Sequence, residues 1–180
     1  MGDSQWLTRP RFFSGKLITP EDLELEQQYF REKLKRHNRR LHGFGIVSGL
    51  KVTTKSGQII VEPGLALDCE GNELVIETVQ SIVPPSTADW HTAFVNVSFV
   101  EECAGTISPS GAEEAASNLA GAITESFMLA LTQKNLNQGH RHLRARWLAC
   151  GRPHALTIAK LRKHSQGWRV DRGYRAPAIK

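Results

Sequence analysis

Between Thr19 and Val61 the chain reads TPEDLELEQQYFREKLKRHNRRLHGFGIVSGLKVTTKSGQIIV, and its hydrophobic period changes at Gly43. Before Gly43, Leu23, Phe30, Leu34, His37 and Leu41 recur at steps of seven, four, three and four. On a helix that spacing makes one apolar stripe. Thr19 suits the N-cap, Pro20 the first helical position and Asp22 the capping acid. Glu21, Asp22 and Glu24 load the first turn, whereas Lys33, Lys35, Arg36, Arg39 and Arg40 load the last turns. This order complements the helix dipole, and Gly43 supplies the stop. The pattern predicts a helix over 20–42, about six turns long at 3.6 residues per turn. Its stripe should pack on a sheet, the commoner use, or pair with a second copy.

Beyond Gly43 the apolar runs shorten. Ile46-Val47, Leu50 with Val52, Ile59–Val61, Leu65–Leu67 and Leu74–Ile76 are separated by turn signals at Lys55–Gly57, Pro63-Gly64 and Glu70–Asn72. Such spacing argues for an antiparallel meander or small barrel. Gly64 and Gly71 are expected at turn positions with positive φ. Val95, Val97 and Phe99 alternate with Asn96 and Ser98, so residues 93–101 read as a half-buried strand. Residues 104–122, rich in Gly, Ala and Ser, read as a mobile loop or weak helix. Ile123–Leu131 suits a strand or a short helix. Leu156–Leu161, a turn at Ser165–Gly167 and Trp168–Val170 read as a closing hairpin. The fold class is therefore α+β, one long N-terminal amphipathic helix with a mainly antiparallel β meander or small barrel. Residues 19–180 form a single domain: helix 20–42, β region 43–101, loop 104–122 and a basic part 134–180.

Ahead of the helix lies WLTRPRFFSGKL, residues 6–17. Pro10 disfavours helix in the residue before it, and residues 1–18 read as an extended arm. Its Trp6, Phe12 and Phe13 need burial on this chain or on a neighbour. Charge separates the two ends of the chain. Residues 134–180 hold 12 of the 23 Lys and Arg but a single acid, Asp171, giving about +11, while residues 1–133 carry about −6. Such asymmetry points to docking against something acidic. Arg9 and Arg11 in the arm, with Arg141, Arg144, Arg146, Trp168 and Arg169 in the basic part, join Trp6, Phe12 and Phe13 as candidate docking residues.

No apolar run approaches the ~20 residues that a spanning helix needs. The start, MGDSQW, lacks the basic and apolar regions of a secretory signal, so synthesis and assembly in the cytosol are expected. Cys69, Cys103 and Cys150 are few, odd in number and far apart, which does not read as a disulfide framework. His140, His142, Cys150 and His154 are the candidate metal ligands, but Arg141, Arg144 and Arg146 crowd them with positive charge. No G-x-S-x-G elbow, Walker A loop or dinucleotide fingerprint occurs, and no spacing singles out a Cys–His pair. Trp147, Trp168 and Tyr174 interleave with the basic residues, a pattern compatible with single-stranded nucleic acid. The bland reading, charge on a solvated face, outweighs it.

Residues 9–23, RPRFFSGKLITPEDL, with residues 27–49, QQYFREKLKRHNRRLHGFGIVSG, resemble a family of structural proteins encoded with bacterial contractile injection systems. VEPGLALD at 61–68 and GNELVI at 71–76 are similar to a hairpin of that family and of tail-fibre and baseplate-associated proteins. The resemblance is strong over about residues 8–80, thinner beyond, and departs from the family pattern between Ala104 and Ala122. It implies a non-enzymatic part of a phage-tail-like particle, at the baseplate or its periphery, without catalytic residues, cofactor or metal. The implied partners are baseplate, sheath or tube subunits, in several copies around a cyclic axis. Nucleic acid is not implied, and a membrane enters only if the particle is anchored. The alternatives are a nucleic-acid-binding module and a cap or membrane-anchoring component of the same particle.

Overall fold

The computed structural model describes residues 7–86, 89–107, 119–138 and 154–179. Helix α1 spans Pro20–His37. Thr19 is extended at φ −109°, and its hydroxyl accepts from the Asp22 N–H at 3.4 Å while the Asp22 carboxylate accepts from the Thr19 N–H at 3.4 Å. This reciprocal box satisfies two helix-end donors. Thr19→Ala should therefore cost about 1 kcal/mol and Thr19→Ser little. Thermal melts check this, and equal melting of wild type and the Ala variant would move the helix start elsewhere. After His37 the helix widens into one π turn, Asn38–His42, which ends where the Gly43 N–H donates to the Asn38 carbonyl.

Among the described residues ten strands follow: β1 Gly45–Gly49, β2 Val52–Lys55, β3 Gln58–Val61, β4 Gly64–Leu67, β5 Glu73–Ile76, β6 Gln80–Ile82, β7 Thr92–Ile107, β8 Leu119–Thr132, β9 Ala155–His164 and β10 Gly167–Val170. They form three antiparallel sheets, ordered β1-β4-β5, β2-β3-β6 and β10-β9-β7-β8. The α+β class read from the sequence holds, with a half-barrel among the sheets. The Lys55–Gln58 hairpin turns on Ser56 and Gly57 at φ 51° and 76°, the backbone of a two-residue type I′ connection. The closing hairpin β9–β10 is present with His164 opposite Gly167. Its Asp171 accepts from Arg162 Nε at 2.8 Å and the Gly173 N–H at 3.0 Å, with Lys160 Nζ at 3.6 Å. These partners, Arg162 first, hold its carboxyl below the usual carboxylate range.

Three expectations are corrected. Residues 104–122 are not one loop: β7 runs to Ile107 and β8 begins at Leu119, pairing Ala104 with Ala122 and Ile107 with Leu119. The long cross-strand ladder overrides the weak strand preference of Gly and Ala. The structure between 107 and 119 lies outside the described residues. Gly64 lacks a positive φ. Its requirement is space, because a Cβ there would sit 2.4 Å from the Leu50 nitrogen and the Ser48 oxygen. Lastly, the stripe of α1 does not pack on a sheet, since α1 buries none of its residues.

The reason lies in the core. Ile59 and Val61 of β3, Leu74 and Ile76 of β5, Val95 and Val97 of β7, and Leu156 and Leu161 of β9 are each no more than 1 % exposed. With Leu50, from the connection between β1 and β2, they close the interior without any residue of α1, each worth about 1.5–3 kcal/mol of burial. The edge of β1 is covered by the chain's own end, where Ile46 donates to the Pro177 carbonyl and Ile179 donates to the Ile46 carbonyl. Among the described residues no helix is long and apolar enough to cross a membrane.

Candidate docking surface

The arm over residues 7–18 has no regular structure apart from a turn at Ser14-Gly15, closed by the Lys16 N–H donating to the Phe13 carbonyl. Lys16 then fastens the arm to the helix. Its ammonium donates to Asp22 at 2.7 Å and stands 5.2 Å over the Phe12 ring. That ammonium, before any other group, holds the Asp22 carboxyl below the usual carboxylate range.

From this fixed start the chain presents apolar surface outward. Phe13 is 63 % exposed and Leu17 82 %, and Ile18, Leu23, Phe30, Leu34 and Leu41 are all more than half exposed. At about 100° per residue, Leu23, Phe30 and Leu34 fall within an arc of roughly 40° of α1. Tyr29 meets Phe30 edge to face at 5.2 Å between centroids.

The face of α1 toward the sheets meets this stripe only at Leu34, which lines a cleft with Arg31, Lys35, Phe99 and Glu101. Arg31 donates to Glu101 at 2.6 Å, Asn38 Nδ2 donates to the Gly71 carbonyl at 2.9 Å, and Arg39 donates to the Glu70 carbonyl. The connection from Asp68 to Asn72, which receives the last two, is braced by hydrogen bonds of its own. Asp68, 1 % exposed, accepts from the N–H groups of Glu70 and Asn72 through Oδ1 and from the Asn72 side chain through Oδ2. Gly71, at φ 90°, lies so close to the helix that a Cβ would come within 2.3 Å of the Lys35 carbonyl oxygen. The helix is thus seated by its C-terminal half, with Leu23 and Phe30 turned to solvent and Leu34 at the edge of the cleft.

The remaining docking candidates fall differently. Arg9 and Arg11 are exposed in the arm beside Phe12 and Phe13. Trp168 is half-buried against the core, and its indole N–H donates to the Pro85 carbonyl at 3.3 Å. Arg169 is exposed and donates to the Gln166 side chain. Trp6, Arg141, Arg144 and Arg146 lie outside the described residues, as do His140, His142 and Cys150 of the metal candidates. Among the described residues no group of three His, Cys, Asp or Glu is placed to hold a metal. Sequence reasoning missed Leu17 and Ile18, whose only signal is that they continue the apolar run of the arm into the helix.

No protein-family model matches the chain, and no curated protein matches it. Solved structures do share its fold. A chain of the baseplate complex from the type VI secretion system is similar over 96 % of this chain and 42 % of its own, at 12 % identity and a TM-score of 0.58. A chain of the TssK-TssF-TssG baseplate subcomplex is similar over 95 % of this chain and 62 % of its own, at 13 % identity and a TM-score of 0.57. The crystal structure of TssK gives 96 % and 42 %, at 11 % identity and a TM-score of 0.56. This chain therefore spans less than two thirds of each of these neighbours. Its fold is thus similar to that of part of these type VI secretion system baseplate and TssK chains.

Proposed function

We propose that this chain is a structural subunit of a contractile, phage-tail-like particle, assembled in the cytosol and seated at the baseplate or its periphery. The observation that carries the reading is α1: a capped helix, bonded to the body along one side, that leaves Leu23, Phe30, Leu34 and Leu41 in solvent. Exposed apolar surface of this kind marks a protein–protein interface. The occupant is a neighbouring baseplate subunit, a choice supported by the likeness to a chain of a baseplate subcomplex holding TssK, TssF and TssG. The arm, with Arg9, Arg11, Phe12 and Phe13, extends the same surface. The basic segment with Arg141, Arg144 and Arg146 supplies a second contact toward acidic neighbours. Repetition of these contacts around a ring follows from cyclic symmetry.

The test is a double variant, Phe30→Asp with Leu34→Asp, alongside deletion of residues 1–13. Both chains should stay folded, because exposed substitutions usually change stability by no more than about 0.5 kcal/mol each. Both should be depleted from purified particles, by about tenfold for every 1.4 kcal/mol of contact removed. Mass spectrometry of the particles measures this. Incorporation of the double variant at wild-type levels would remove α1 from the interface. Failure of the wild-type chain to co-purify with sheath or tube proteins would end the particle reading itself.

A further inference from the structure

One cluster plays no part in docking. Cys69, a thiol outside any disulfide and 5 % exposed, lies in the connection between β4 and β5. Its Sγ is 3.1 Å from Nδ1 of His154, the residue before β9. On the other side of the ring, His154 Nε2 is 2.9 Å from Glu70 Oε1. The three groups come from two segments 85 residues apart and stand in line as thiol, imidazole and carboxylate. Glu70, as acceptor at Nε2, selects the tautomer with the proton on that nitrogen. The Nδ1 lone pair then faces the thiol, which is the order of nucleophile, base and orienting group that activates a cysteine.

What the cluster lacks among the described residues decides what it does. Acyl transfer needs open N–H donors for an oxyanion beside the nucleophile. Here the Glu70 and Asn72 amides donate to Asp68 Oδ1, and the Gly71 amide donates to the Asp68 carbonyl. The donors after Cys69 are already engaged, so the cluster suits a single covalent event rather than turnover. The His154 and Glu70 side chains are 32 % and 41 % exposed, which leaves the ring at the surface with the sulfur just beneath it.

We propose that Cys69 is a modification site for small hydroperoxides, with His154 as its base and Glu70 as the positioning residue. Sulfur attacks the terminal peroxide oxygen as the thiol proton passes to His154 Nδ1. An S–O bond forms and the O–O bond breaks. The departing alkoxide or hydroxide takes the proton from His154 and leaves as alcohol or water. The sulfur is oxidised by two electrons to a sulfenic acid, and the peroxide is reduced by two. The inference stands apart from the particle reading and does not require it.

The experiment treats the full chain with hydrogen peroxide in the presence of dimedone and follows each cysteine by peptide mass spectrometry. Cys69 should be labelled faster than Cys103, although Cys103 is exposed and Cys69 is buried. His154→Gln should slow Cys69 by about 10²-fold, the lower end of what a positioned base contributes, and leave Cys103 unchanged. Glu70→Gln should slow Cys69 by less and leave the melt unchanged, a split that a merely structural role would not give. Labelling of Cys103 at or above the rate of Cys69 in the wild-type chain overturns the proposal. That comparison holds even if a variant fails to fold. An unaltered Cys69 rate in a folded His154→Gln chain overturns it as well.

Discussion

Asn137→Ala is expected to lower the unfolding free energy by about 3 kcal/mol, although Asn137 lies outside every strand. A register shift between Val95 and Asn96 places Thr157 opposite Asn96 on β7, and β10 pairs with β9 only from Leu161 onward. The outer edge of β9 at Thr157 therefore has no strand beside it, yet Thr157 is 0 % exposed. Asn137 takes the place of that strand. Its Oδ1 accepts from the Thr157 N–H at 2.8 Å, and its Nδ2 donates to the Thr157 carbonyl at 2.7 Å and to the Tyr174 hydroxyl at 2.9 Å. The Thr157 hydroxyl meanwhile accepts from the Leu136 N–H and donates to Asn96 Oδ1. Removing the amide orphans one buried backbone donor and weakens one acceptor, each worth about 1–3 kcal/mol. Asn137→Asp keeps the acceptor and should cost less. Urea denaturation of the three chains measures the order, and an Ala variant within about 1 kcal/mol of wild type, inside the range of one ordinary hydrogen bond, would show that water replaces the amide.

Gly71→Ala should have an effect of similar size by a different route. At φ 90° an L side chain is strained, costing about 1–3 kcal/mol. The added carbon would also meet the Lys35 backbone at 2.3 Å from its oxygen and 2.9 Å from its carbonyl carbon. Neither the helix backbone nor the Asp68-braced turn yields easily, so the two must separate. The Asn38 to Gly71 bond at 2.9 Å is then lost from a buried site. Gly57→Ala is the control, because Gly57 has φ 76° but a Cβ there would meet nothing within 4 Å. The excess destabilisation of Gly71→Ala over Gly57→Ala isolates the close approach. Equal melting of the two variants would mean that the helix and turn do not press on each other.

The parts of the fold legible in the sequence are those set by neighbours along the chain. Thr19, Pro20 and Asp22 cap a helix whatever lies beyond it, and Ser56-Gly57 turns a hairpin on local backbone preference alone. The destination of the α1 stripe was not legible, because the same spacing serves a core, a partner or a second copy. Nor was the reason for Gly64, which only the approach of β1 to β4 reveals. The ladder from Ala104 to Ala122 is held by pairing across a hairpin, and composition does not report that. The arm was visible as an aromatic and basic run, but Trp168, read with it as a docking candidate, packs against the core. The Cys69–His154 pair had no sequence signal, since 85 residues separate its members.

The seating of α1 has a mechanical consequence. An 18-residue helix is roughly 27 Å long at 1.5 Å per residue, and the bonds described between it and the sheets begin at Arg31. It is a rod clamped toward one end, with the arm at the other. The free part, from Thr19 to Arg31, is roughly 18 Å long, so a rotation of about 10° at the clamp sweeps the Thr19 end through about 3 Å. A tug on this chain from outside therefore reaches the Arg31–Glu101 bond before it reaches Gly71, where helix and turn touch.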